Sequence, residues 1–158
     1  MARPGSRQRA PKEKSEYDQK VLEVARVTRV VAGGRRFSFR ATVAIGNRKG
    51  KIGVGTGKGL DFSQSVEKAV ADARKNMIIL PLKEGTIPHE VQSKYGAAKV
   101  FLKPAPKGKG LVAGGAVRVI CELAGVENIS AKIISKSTNK LNNARATMVA
   151  FSKIKTRV

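Results

Sequence analysis

From Arg35 to Ile45 the chain alternates residue by residue. Phe37, Phe39, Ala41, Val43 and Ile45 fall on one side of an extended strand, and Arg36, Ser38, Arg40 and Thr42 on the other. The period predicts one face that buries and one that stays wet and positive. A valine-rich run over 21–31 precedes it with poor alternation and predicts a pairing strand. Gly33 and Gly34 between them predict a tight turn. A second turn, 46–50, returns the chain into a third strand beginning at Lys51, so three antiparallel strands are expected.

At Ser63 the period changes from two to about three and a half. Val66, Ala69, Val70, Ala73 and Met77 form a helical stripe, with Asp61 or Ser63 as N-cap and Arg74 and Lys75 suited to the C-terminal end. This helix is expected to pack on the Phe37, Phe39 and Val43 face and close a first domain over 21–83. Short strands are predicted over 78–82, 90–93 and 99–103, and a second domain occupies 84–158. The stretch 113–124 fits two patterns: Val117, Val119, Cys121 and Leu123 alternate like a strand, whereas Ala113, Ala116, Val117, Ile120 and Ala124 make a helical stripe. Helix is preferred, because Gly125 is a natural C-cap. A strand over 129–135 and a helix opened by Ser137, Thr138 and Asn139, running through Leu141, Ala144, Met148 and Phe151, complete the chain.

Charge changes this picture from fold to function. The 158 residues hold 32 Lys and Arg against 11 Asp and Glu, a formal charge of +21. A folded chain tolerates that much self-repulsion when a polyanion neutralises it, and nucleic acid is the leading candidate. Between Glu23 and Asp61 there is no acidic residue, and none between Glu90 and Glu122. Residues 1–20 are basic, rich in Pro, Gly and Ser, and read as a tail without structure of its own in isolation. Aromatic residues make up 4% of the chain and Trp is absent, so phosphate contacts, not base stacking, must dominate binding.

The competing chemistries are poorly supported. No window is apolar enough to span a membrane: the best, 111–126, contains Arg118 and Glu122. No secretory signal opens the chain, which points to a cytoplasmic setting. Cys121 stands alone, excluding an internal disulfide and a cysteine-based metal site, and reads as a core residue. His89 has no partner at motif spacing. Gly57-Lys58, Gly108-Lys109 and Gly50-Lys51 are each followed by Gly or Ile rather than the hydroxyl a phosphate loop needs for magnesium. The run from Pro106 to Ala116 is similar to the phosphate loop of galactokinase-type kinases but lacks its two serines. Fold kinship is expected there, without catalysis, metal or cofactor.

GGRRFSFRA, GNRKGKIGVGTGKG, the helix ending ARKNM, VFLKPAPKGKGLVAGGAVRVICELAGVENISAKIISKSTN and ARATM, in that order, together resemble the small-subunit ribosomal protein S-five family. The resemblance implies an α+β chain. Its N-terminal domain would be like double-stranded-RNA-binding domains, three antiparallel strands plus a helix, followed by a C-terminal α/β two-layer domain. It also implies binding to small-subunit rRNA, contacts with ribosomal proteins S-four and S-eight, a place near the mRNA entry tunnel and a part in translational accuracy. A lysine cluster opens the last helix of ordinary double-stranded-RNA-binding domains; here Asp61-Phe62-Ser63-Gln64 stands instead.

The RNA-binding candidates are therefore Arg29, Gly33, Gly34, Arg35, Arg36 and Arg40 on the first hairpin. Arg48, Lys49 and Lys51 follow at the second turn, then Lys58 before the helix, and Lys103, Lys107 and Lys109 in the second domain. Alternatives outside this family are an RNA chaperone or processing factor acting off the ribosome and, remotely, a small-molecule kinase.

Overall fold

A computed structural model describes residues 16–154. The predicted tail falls mostly outside them; its last residues begin β1 (Asp18–Val31), which continues into β2 (Gly34–Gly46), β3 (Lys51–Gly59), α1 (Phe62–Lys75) and β4 (Met77–Ile79). These strands form one antiparallel sheet in the order β1-β2-β3-β4. Of the short strand expected over 78–82, only Ile78 and Ile79 pair with β3; with Met77 they make β4, a fourth strand of the first sheet, and Met77 reaches the core from β4, not from the helix. The poor alternation of β1 has two causes: its register slips between Val21 and Glu23, and much of the strand is uncovered.

The second half is β5 (Val91–Tyr95), β6 (Ala98–Pro104), β7 (Leu111–Val112), α2 (Gly115–Ala124), β8 (Ile129–Ile133) and α3 (Lys140–Lys153), with sheet order β5-β6-β8-β7. The ambiguous stretch is the helix α2, closed by Gly125 at φ 82°, and Asn139 caps α3 by accepting from Asn142 N. The two-residue β7, parallel to β8, has no counterpart among the predicted strands. Both helices lie on one side of this sheet, where Ser93 Oγ donates to the carbonyl of Ala146 in α3.

Helix α1 sits on β3 through missing side chains. Gly53, Gly55, Gly57 and Gly59 occupy every second position of β3, and a methyl at Gly55 would collide with Ala73 N and Ala69 O of the helix backbone. Ser65, Ala69 and Ala73, all buried, form the matching small stripe on α1. The glycine run is thus a packing surface. Where β3 leaves β4 behind, its free edge is satisfied by Asp72, whose Oδ2 accepts from Thr56 N at 2.9 Å.

The expectation of one dry and one wet face on β2 fails at both ends: its base is buried on both faces and its tip on neither. Thr42, expected in water, is 1% exposed, because α2 and α3 pack beneath the lower part of the sheet. Ala44, Ile52 and Val54 there join Val117, Ile120, Cys121 and Phe151 in a core shared by both halves. Burial pushes the Cys121 thiol up to about 12, consistent with an inert core residue. In the other direction, Phe37, expected under α1, is 46% exposed; the Arg26 guanidinium lies 3.7 Å from its ring centroid instead.

Candidate nucleic-acid interface

Directly opposed residues in an antiparallel pair share a face. The register sets Arg29 opposite Arg36, and Arg40 opposite Lys58. Arg36, Ser38 and Arg40 follow one another on the same side of β2, so all four cations converge on the face away from α1. All four are exposed. Like charges directly opposite each other destabilise a sheet, and this face holds two such pairs, one across β1 and β2 and one across β2 and β3. Glu23, opposite Thr42, is a carboxylate at its lower margin.

Among the described residues, ion pairs join Lys20 to Glu122, Arg48 to Asp18 and Lys107 to Glu84, and none involves Arg29, Arg35, Arg36, Arg40 or Lys58. Arg35 pairs with Val30 on the reverse face, beside Arg26 and Phe37, so the hairpin is cationic on both sides. At its tip Gly33 has φ 89° and Gly34 φ 153°, and a Cβ on either would meet nothing within 4 Å. These glycines answer to the backbone path and leave the tip bare for close approach.

The turn 46–50 lies at the other end of the strands, roughly 40 Å away at a rise of about 3.3 Å per residue. It is a joint between the two halves. Arg48 N donates to Leu123 O at 2.9 Å and Gly50 N to Ala124 O at 2.8 Å, tying the turn to the carbonyls that end α2. Asn47 Oδ1 accepts from Lys49 N and Lys51 N, and the Arg48 side chain donates to Asp18 at 2.8 Å. Methyl groups at Gly46 or Gly125 would collide with Leu123 O and Arg48 O respectively. From sequence Gly125 reads only as a helix cap; it also makes this contact, which the local pattern does not signal. Arg48, Lys49 and Lys51 are exposed here but far from the hairpin face.

Lys103 lies on the outer side of the second sheet. Lys107 and Lys109 sit on the loop before β7, Lys107 bound to Glu84 at 3.2 Å. That loop opens the run similar to a kinase phosphate loop, and two of its glycine donors are already used: Gly108 N and Gly110 N both donate to Asn128 Oδ1, at 3.2 and 3.0 Å. A phosphate would have to displace a side chain that is 7% exposed. No group of three His, Cys, Asp or Glu that could hold a metal occurs among the described residues, and no helix among them is long and apolar enough to cross a membrane.

Comparison with known proteins accounts for both halves. The profile described as "Ribosomal protein S5, N-terminal domain" matches residues 17–81, which hold the whole first sheet and α1, and "Ribosomal protein S5, C-terminal domain" matches 93–158. The chain belongs to the ribosomal protein S5 family. "Small ribosomal subunit protein uS5" of Nostoc punctiforme is 47% identical over 149 residues, covering 94% of this chain and 85% of that protein. The protein of the same name from Persephonella marina is 51% identical over 138 residues, 87% of this chain and 71% of its own. "Small ribosomal subunit protein uS5c" of Guillardia theta is 50% identical over 143 residues, 90% and 84% of the two chains. Family membership makes this a protein of the small ribosomal subunit, a structural component and not an enzyme. The α+β architecture expected from the sequence is the one found, with β4 added to the three strands of the first sheet.

Proposed function

We propose that the chain holds small-subunit rRNA on the hairpin face formed by Arg29, Arg36, Arg40 and Lys58, with the bare Gly33-Gly34 tip reaching into a fold of that RNA. One observation carries this reading: two opposed like-charge pairs stand on an uncovered sheet face without ion-pair partners. A free protein gains nothing from that arrangement, whereas a polyanion makes it favourable. The contacts are to phosphates and 2′-hydroxyls, since four cations around Ser38 offer charge and little else. Exposed Leu60, Phe62 and Ile79 suit the protein neighbours, S-four and S-eight. Holding this part of the subunit in shape is the proposed contribution to decoding accuracy and to the mRNA entry region. The relatives come from bacteria and plastids, and small-subunit rRNA is the ligand in both settings; the cytoplasmic ribosome is the setting proposed here.

The test is binding of the full chain to a small-subunit rRNA fragment across a salt series. With roughly 6 phosphates neutralised, log affinity should fall against log salt with a slope near −5, and the double variant Arg29→Gln/Arg36→Gln should flatten that slope by about 2. Equal slopes and equal affinities for the two proteins would remove the hairpin face from the interface.

A further inference from the structure

The second sheet carries α2 and α3 on one side only, and the described residues leave its other side uncovered. Register determines what that outer side displays. Lys94 of β5 is directly opposite Lys99 of β6; Phe101, two residues on, is opposite Lys132 of β8 and Gln92 of β5; Lys103 follows opposite Ser130. A single half-buried ring thus stands in the middle strand with lysines before, after and beside it. All four lysines are exposed, and none takes part in an ion pair among the described residues. As on the first sheet, two like charges are placed directly opposite each other, at a cost to the isolated fold.

We propose that this outer face is a second RNA contact, which takes an unpaired segment: one base stacks on Phe101, and Lys94, Lys99, Lys103 and Lys132 hold the adjoining phosphates. The inference rests on the reading that the chain works on rRNA and adds a separate surface to it. An unpaired strand fits better than a duplex, because a ring lying on a flat sheet can stack only with a base whose face is free. An acidic protein fits less well: the centre of a protein interface is depleted of charge, and of lysine above all, whereas here lysines adjoin the one apolar side chain. The helices lie between this sheet and the base of the first, so the two contacts are separate surfaces.

The chain contains no Trp, so Phe101→Trp in the full-length protein is a unique fluorescent reporter. Short oligouridylate should quench it, whereas an RNA duplex and polyglutamate should not. Lys94→Ala/Lys99→Ala/Lys132→Ala should weaken the quenching at least tenfold, and Arg29→Gln/Arg36→Gln should leave it in place. In a protein with its other residues unchanged, Phe101→Ala should lower oligouridylate affinity about tenfold while the chain stays folded at the assay temperature, as circular dichroism reads it. Absence of quenching together with unchanged affinity of Phe101→Ala would overturn the proposal. So would equal quenching by the duplex, binding of polyglutamate in place of RNA, or loss of quenching with the hairpin arginines. If the hairpin variant fails its own salt test while this quenching persists, the first reading falls and the platform stands.

Discussion

At the end of the first sheet near the turn 46–50, α1 lies against the glycines of β3 on one face while Thr42, Ala44, Ile52 and Val54 are buried beneath the other. Toward the Gly33-Gly34 tip the same strands bury almost nothing. Val30 is 77% exposed, Phe37 is shielded by an arginine, and the facing pairs are Arg29 with Arg36 and Arg40 with Lys58. One end is optimised for folding, and the other retains arrangements that folding alone disfavours. Glycine shows the contrast best. In β3 it provides space for a helix backbone; at the tip it provides a backbone angle and touches nothing.

The sharpest break of this comparison is Gly55→Ala. The added methyl meets Ala73 N and Ala69 O, backbone atoms that can yield only if the whole helix lifts from β3. Overpacking of this kind should cost about 3 kcal/mol, read as a lower urea midpoint. A loss under about 1 kcal/mol would mean that α1 does not rest on these glycines. Gly33→Ala at the other end should cost about 1 kcal/mol, from positive φ alone, since a Cβ there has no neighbour within 4 Å. If the tip variant proved the more damaging of the two in the isolated chain, the division into a folding end and a contact end would be wrong.

Much of this was legible in local pattern. The alternation of β2, the stripes of α1 and α3 and the cap at Gly125 are properties of neighbouring residues, and each marks its element correctly. Thr42 was not legible, because what buries it is α2 and α3, more than seventy residues further along, and a period cannot report a second layer. Arg48 looked like part of the basic strip until its turn proved to be hydrogen-bonded to Leu123 and Ala124. The alternating glycines from Gly53 to Gly59 carry a readable signal, a strand with one side stripped of side chains, which is a packing signal and has nothing to do with the phosphate chemistry that Gly57-Lys58 lacks the hydroxyl for. For the candidate interface, composition points to basic residues and only the register sorts their positions. Arg29, Arg36, Arg40 and Lys58 come together across strands, whereas Lys49 and Lys103 do not join them.

The smallest expected effect is the most diagnostic, because its sign is unusual. In the isolated chain, Arg36→Gln removes one charge from the opposed pair with Arg29 and should raise stability by about 0.3–0.5 kcal/mol at low salt. Screening shortens the reach of exposed charges to about 3 Å at 1 M salt, so the gain should vanish there. The same substitution should weaken rRNA binding. A change that stabilises the free protein and harms the complex identifies a residue kept for its partner. If Arg36→Gln instead destabilises the chain, or stabilises it equally at high salt, the arginine contributes packing or strand propensity. The opposed pairs then carry no argument for a polyanion on this face.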